Sequence, residues 1–401
     1  MTSLPADRPA TAASAAPLVA RTVPLDPAVA ADLLAVLPAG DATAPCSWVR
    51  RGEGLVGWGR AASTLAHGPG RFAVLEDWWQ ALVGSAVVRD EVDLPGTGPI
   101  AFGSVSYSPD SAAVPGGAEV RAQPEPEQPR AVAFADGALS PADWAGAVAE
   151  AVRRITAGRL DKVVLARDLD VVTAAPLDVR WLLRRLAERY DTTWVFAVDG
   201  LVGATPELLV RREKGLVTSR VLAGTIRPTG DDAHDLALAA SLARSSKDLE
   251  EHEYAVRSVA DALEPHCSSM NVPEAPFVLH LPNVMHLATD VNGVVHDVAS
   301  SLQLAESLHP SAAVGGTPTG AATALIHDIE GMARDRYAGP VGWMDASGDG
   351  EWGIALRSAQ VTGSGARLFA GCGIVASSDP EAELAESQAK FVPVRDALEG
   401  A

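Results

Sequence analysis

Two acidic pairs carry the pattern most suggestive of chemistry. Asp248 and Glu251 stand three residues apart, as do Glu383 and Glu386, so on helices each pair projects from one face. Facing one another, two such pairs offer only oxygen ligands. Without a cysteine pair or histidine cluster beside them, that donor set suits Mg²⁺, which takes one or two carboxylates and keeps waters or substrate oxygens. Carboxylates at this spacing are more often a solvated helix face. Asp248 and Glu251, however, border an apolar stripe of Leu249, Val256, Val259 and Leu263 instead of lying opposite it. Lys162 lies among apolar neighbours in LDKVVLARDLDVV; such a lysine serves as a base or as an edge-strand charge that discourages aggregation. Glu207 follows Pro206 at a turn entering a strand, where a surface carboxylate is the common outcome. His286, in LPNVMHLATDV, has the apolar flanks usual for a hydrogen-bonded core histidine.

These residues need elements to position them. Ser140, Pro141 and Asp143 open a helix over SPADWAGAVAEAVRRITAG that Gly158 is placed to end. Alternation predicts a strand over LDKVVLARDLDVV. TTWVFAVDGLVGATPELLVRR and GLVTSRVLAGTIRP read as strands separated by turns, and SSKDLEEHEYAVRSVADALEP as a helix. PVGWMDASGDGEWGIALRSAQV reads as two strands joined by a polar turn, and RLFAGCGIVA as another strand. SSDPEAELAESQAKF starts a helix capped by Ser378 or Asp379, which Pro393 is expected to end or kink. Earlier, Ser47 to Tyr107 gives short strands and one helix around Trp78 to Val83, and Pro115 to Arg130 reads as a solvated loop or a boundary between subdomains. Strands interspersed with unpaired helices favour α+β over a parallel doubly wound sheet.

Three glycine-rich segments could hold a ligand. AVGGTPTGAA lacks the Gly-Lys-Ser/Thr of a phosphate-binding loop. DASGDGEWGIAL places Asp345, Ser347, Asp349 and Gly350 like a calcium loop, but Leu356 stands where the terminal glutamate belongs, so a hairpin turn is expected. AGCG at 370–373 could let backbone N–H groups approach an anion.

The chain has 401 residues, with 32 Lys+Arg against 51 Asp+Glu and a net charge of −19. That balance argues against nucleic acid or an anionic membrane surface as partner. Cys46, Cys267 and Cys372 lack C-x-x-C spacing, which disfavours a disulfide framework or thiolate metal site and fits a cytoplasmic protein. Residues 1–24 lack a signal-peptide layout and read as a disordered leader. Residues 25–401 read as a single catalytic domain, motif-poor to about 139 and motif-rich over 140–401.

In order along the chain, DKVVLAR, ATPELLV, LAGTIRP, SSKDLEEHEYAV, HLPNVMHLATDV, LHPSAAVGGTP, RYAGPVGWMDASGDGEWGIALR and AGCGIVASSDPEAELAESQAK resemble the chorismate-utilising enzymes. That family contains isochorismate synthase, salicylate synthase, anthranilate synthase component I and aminodeoxychorismate synthase. The resemblance runs from about Ser47 to Phe391 and is concentrated after Ser140. It implies an α+β fold of large, mostly antiparallel sheets packed against helices, with the active site between two subdomain layers.

By that resemblance Lys162 is the general base that activates water and Glu207 the general acid, with water adding at C2 of chorismate as the C4 hydroxyl departs. Glu251 and Glu386 match Mg²⁺ ligands, and Asp248 and Glu383 supporting positions reached through bound water. Gly224 and Thr225 match residues that meet the ring carboxylate. Arg357, Tyr337 and the backbone of Gly371, Cys372 and Gly373 match those that hold the enolpyruvyl carboxylate. Lys390, one turn after Glu386, matches a residue near substrate or metal, and His286 one near the ring or the departing hydroxyl. Ala223 stands where aminodeoxychorismate synthases carry a lysine nucleophile, and Ala313 where salicylate synthases tend to carry threonine. RSVADALEP and LHPSAAVGGTP differ from the anthranilate synthase pattern. The resemblance therefore implies isochorismate synthase first, with salicylate synthase and then an ammonia-using anthranilate-type synthase as alternatives. It further implies Mg²⁺ as cofactor, chorismate as substrate, a monomer without an obligatory protein partner, and siderophore or menaquinone biosynthesis as outlets.

Overall fold

The computed structural model describes residues 17–24, 32–41, 43–108 and 124–400. Among these, the β-rich runs build sheets of nine and eight strands whose internal pairings are all antiparallel. The nine-stranded sheet runs Gly316–Thr317, Lys162–Val172, Gly365–Ile374, Ser358–Thr362, Leu201–Thr205, Trp194–Val198, Pro45–Arg50, Glu53–Trp58, with Ala133–Asp136 also beside Lys162–Val172. The eight-stranded sheet runs Cys267–Asn271, Met285–Val295, Leu216–Ile226, Leu208–Glu213, Gly350–Ile354, Pro340–Asp345, Ile100–Ser104, with Phe277–His280 also beside Met285–Val295. The fold is α+β, as expected.

The chain passes between the sheets twice in adjacent places. Pro206 and Glu207 join Leu201–Thr205 of one sheet to Leu208–Glu213 of the other, and residues 355–357 join Gly350–Ile354 to Ser358–Thr362. The flanking strands pair with one another in both sheets, Leu201–Gly203 with Ser358–Gln360 and Leu208–Arg212 with Gly350–Gly353. Glu207 and Arg357 are thereby delivered together between the layers.

Helices cover the sheets and supply the remaining site residues. Ser140 caps Pro141–Thr156 by accepting from the Asp143 N–H, and Trp144, Val148, Ala151 and Ile155 enter the core at helical spacing. Each large aliphatic buried this way contributes roughly 1.5–3 kcal/mol. Ser245 caps Ser246–Leu263 through the Asp248 N–H. The buried face of that helix is Glu251, His252, Ala255, Val259 and Leu263, while Leu249 and Val256 are half-buried. Glu251 therefore sits within the buried stripe, not at its border.

Some expectations require correction. Within the supposed leader, Val19–Thr22 is a strand paired in parallel with Val87–Asp90, because its alternate residues find a partner edge; residues 1–16 lie outside the described residues. Pro393 does not end the last helix, which continues over Pro380–Glu399. Val394, Ala397 and Leu398 beyond it are buried in a core cluster, and that burial outweighs one lost hydrogen bond. The early helix is longer than expected, Arg71–Gly84. Of the Pro115 to Arg130 loop, residues 109–123 lie outside the described set and 124–130 are irregular. The Asp345–Asp349 segment is a hairpin turn whose Asp345 carboxylate accepts from Ser347 and Asp349 N–H groups. Among the described residues no helix is long and apolar enough to cross a membrane.

Candidate active site

The two sheets and two helices converge on one cavity lined by Glu207, Gly224, Thr225, Glu251, His286, Ala313, Tyr337, Arg357, Gly371, Gly373, Glu386 and Lys390, all singled out in the sequence. Lys162 lies directly behind this lining. It opens its strand, is 0% exposed, and its Nζ stands 3.2 Å from Glu251 Oε1. That carboxylate is its ion-pair partner, while the Nζ makes no hydrogen bond of good geometry among the described residues.

Glu207 is buried at the crossover, its N–H donating to Thr205 Oγ1 at 3.2 Å. Burial pushes its carboxyl up to about 8, against the opposing pull of Lys162, Arg357 and Lys390. At neutral pH it holds its proton, as a general acid must.

Opposite charges meet differently on the Pro380–Glu399 helix. Lys390 Nζ stands 2.6 Å from Glu386 Oε1 and donates to Gly371 O at 2.9 Å. Burial alone would raise the Glu386 carboxyl, but the Lys390 ammonium, with a hydrogen bond from Thr225, holds it below the usual range. Lys390 is correspondingly held above its own.

Gly224 has φ +70°, and a Cβ there would lie 2.9 Å from Asp248 Cβ. This position breaks the register between Leu216–Ile226 and Met285–Val295, bringing Thr225 opposite His286. His286 Nδ1 lies 3.1 Å from Gly224 O, and its Nε2 lies 3.0 Å from an Arg357 guanidinium nitrogen. Burial, with help from Arg357 and Lys390, lowers this imidazole to about 3. Neutral His286 thus donates from Nδ1 to the carbonyl and accepts from Arg357 at Nε2, which fixes the guanidinium. Arg357 has φ +48°, an unusual backbone for a non-glycine residue at a functional crossover. Tyr337 stacks on Phe369 with centroids 5.0 Å apart, and burial raises its phenol to about 12.

Gly373 leaves room for the Glu251 carboxylate. A Cβ there would fall 2.0 Å from Glu251 Oε1 and 3.2 Å from Lys162 Cε. Cys372 is not part of the lining, contrary to expectation. Val164 and Ala166 direct their backbone groups to Gly315, Arg334 and Glu330, so alternation leaves Leu165 to share ladder bonds with its partner Cys372. Its N–H is therefore committed to the sheet, and its buried thiol, raised by burial, packs 3.4 Å from Glu383 O.

Asp248 and Glu383 border a second recess that shares Thr225, Glu251, Gly373 and Glu386 with the inner cavity. Four carboxylates therefore rim one space, and the room over Gly373 exists only for want of a Cβ. Such oxygen donors fit a hard divalent cation. Cys372, Glu383 and Glu386 also bring ligand atoms within 4.8 Å of one another, but the protonated thiol makes a poor donor there.

Ala223, singled out in the sequence, also lines the cavity, and Val164, Pro206, Leu222, Val314, Arg334, Ala338 and Leu356 complete the lining without having been anticipated as site residues. Arg334 had one legible signal, a glutamate four residues earlier at Glu330.

A two-layered antiparallel α+β fold with this cleft defines a chorismate-binding architecture, and comparison with known proteins agrees. The family description "Chorismate binding enzyme" matches residues 111–399, and the chain belongs to that family. It is 38% identical over 278 residues to isochorismate synthase MenF of Bacillus subtilis, covering 68% of this chain and 59% of that protein. It is 33% identical over 443 aligned positions to the salicylate biosynthesis isochorismate synthase of Pseudomonas aeruginosa, covering 95% and 90%. The crystal structure of a Bacillus anthracis protein assigned as DhbC, a 2,3-dihydroxybenzoate-specific isochorismate synthase, superposes with a TM-score of 0.80 at 32% identity, covering 90% and 97%.

Proposed function

We propose that the protein is a Mg²⁺-dependent isochorismate synthase acting on chorismate. The observation that carries this reading is a buried, proton-bearing Glu207 in the cavity that Glu251 also lines, with Lys162 paired to Glu251 behind that lining. Water addition at C2 with loss of the C4 hydroxyl needs one group to take a proton and another to give one. Lys162, acting from its neutral amine form, takes the proton from the attacking water, and Glu207 gives its proton to the departing hydroxyl. Its relatives' names support the same activity.

Substrate charge sets the remaining roles. Arg357, held by His286, donates through its planar fork to the enolpyruvyl carboxylate, with Tyr337 and the backbone of Gly371 and Gly373 alongside. Glu251 and Glu386 would hold Mg²⁺, with Asp248 and Glu383 supporting them from the adjoining recess. When bound, the ion neutralises and orients the ring carboxylate near Gly224 and Thr225. Lys390 keeps Glu386 ionised and ready to ligate. Ala223 offers no amine nucleophile, and Ala313 no hydroxyl, beside the substrate, which separates this reading from the aminodeoxychorismate and salicylate synthases. We place the enzyme in the cytoplasm as a monomer.

Incubating the purified protein with chorismate and MgCl₂ and separating the products by chromatography tests the reading. Isochorismate as the main early product is expected; salicylate with pyruvate, or no turnover, would overturn it.

A further inference from the structure

The strand that carries Lys162 has a gap in its outer edge. Gly316–Thr317 pairs with Lys162 and Val163, and Ala133–Asp136 pairs with residues 169–172. Between them, side chains replace the missing strand. Glu330 Oε1 accepts the Ala166 N–H at 2.7 Å, and Arg334 donates to Val164 O at 2.7 Å. Both are almost wholly buried and bonded to each other, with Arg334 Nε 2.8 Å from Glu330 Oε2.

Arg334 has a third arm. It donates at 2.8 Å to Val314 O, next to Ala313 in the segment that lines the cavity. Val164 N–H donates to Gly315 O in the same segment. One rigid guanidinium thus grips two carbonyls from distant parts of the chain, two residues from Lys162 and one from Ala313. Its plane is backed by the Tyr107 ring at 4.3 Å. A fork of fixed geometry holding both carbonyls fixes the distance between them.

We propose that Arg334 is a positioning residue for the reaction: it sets the separation between the Lys162 strand and the Ala313 segment, and so the fit around the substrate. This rests on the isochorismate synthase reading. Arg336 provides the internal contrast. It is buried as well, but its hydrogen bonds run to Ser104, Val198, Asp199 and Gln360, none of which lines the cavity.

The test compares R334K and R336K, assayed below both unfolding midpoints. Lysine keeps the charge but cannot hold both carbonyls and the carboxylate together. R334K is expected to lose about tenfold to a hundredfold in kcat with little change in KM for chorismate, because misplacement by an ångström is enough. It is also expected to raise the share of pyruvate among the products, the elimination that breaks the C3–O bond of isochorismate as its C2 hydrogen moves to the pyruvyl methylene carbon. R336K is expected to lower thermal stability with kcat and product ratio near wild type. If R334K does not fold, E330D, which draws the guanidinium off the carbonyls while keeping the buried pair, is expected to shift kcat and products in the same direction. Equal kinetic effects of R334K and R336K, or a folded E330D with wild-type kinetics, would overturn the proposal. A wild-type enzyme that makes no isochorismate would instead sink the functional reading itself.

Discussion

Glu207 and Glu386 are two glutamates of one cavity whose carboxyls move in opposite directions. Glu207 sits where the chain crosses between sheets, with cations near but none among the described residues in an ion-pair contact, and burial raises it to about 8. Glu386 sits on a helix face with Lys390 one turn along at 2.6 Å, and is held below its ordinary value despite burial. Desolvation is common to both, so the contact partner decides the sign. The crossover keeps its carboxyl protonated, and the helix keeps its own ionised.

The largest way to break this contrast is to neutralise each glutamate in turn. E207Q is expected to lower kcat by about 10²–10⁴-fold with the Mg²⁺ requirement unchanged. E386Q is expected to raise the Mg²⁺ concentration needed for half-maximal rate by at least about tenfold. Isochorismate formation across a MgCl₂ series, with Mn²⁺ titration followed by electron paramagnetic resonance, separates the two. If both variants fail in the same way, the division of labour is wrong.

A second, smaller effect comes from the anionic corner. G373A places a methyl against Glu251 Oε1 and is expected to weaken Mn²⁺ binding by about tenfold. G371A meets only 3.1 Å contacts with Leu165 O and the Tyr337 hydroxyl, and should be milder in the same titration.

The proton donor predicts a pH dependence. Activity is expected to fall as pH rises through about 8, where Glu207 loses its proton, and a rate profile lacking that limb would remove it as the acid. Stability follows the same group. Above 4.5 the unfolded chain ionises this carboxyl while the folded chain keeps it protonated. Stability complete below 4.5 is therefore drained as pH climbs to about 8. Melting curves should show wild type losing more stability than E207Q over that range. Glu386 has the reverse sign: its depressed value contributes stability present above 4.5 and lost as pH falls through the folded value. The smallest expected change is that K390M weakens this contribution and makes acid unfolding begin at higher pH.

Much of the site was legible because acidic pairs at helical spacing, a lysine in an apolar strand and ordered motifs survive in one dimension. The capping of Pro141–Thr156 by Ser140 and of Pro380–Glu399 by Asp379 was equally local. Cys372 was misplaced because a strand's period decides which residues face a cavity, but its hydrogen-bonding register depends on the neighbouring strand. Pro393 misled because a helix tail buried against distant strands tolerates a break in its own ladder. Arg334 was missed because its acceptors, Val164 O and Val314 O, lie 170 and 20 residues away.

The sequence by itself determined the family resemblance, the α+β alternation of elements and the donor types available for chemistry, since these follow from local pattern and composition. Only the tertiary structure decided which of the two glutamates, Glu207 or Glu386, keeps its proton and which is held ionised. That choice depends on burial and on a cation's distance, and both arise only when the two sheets and the last helix close around one space.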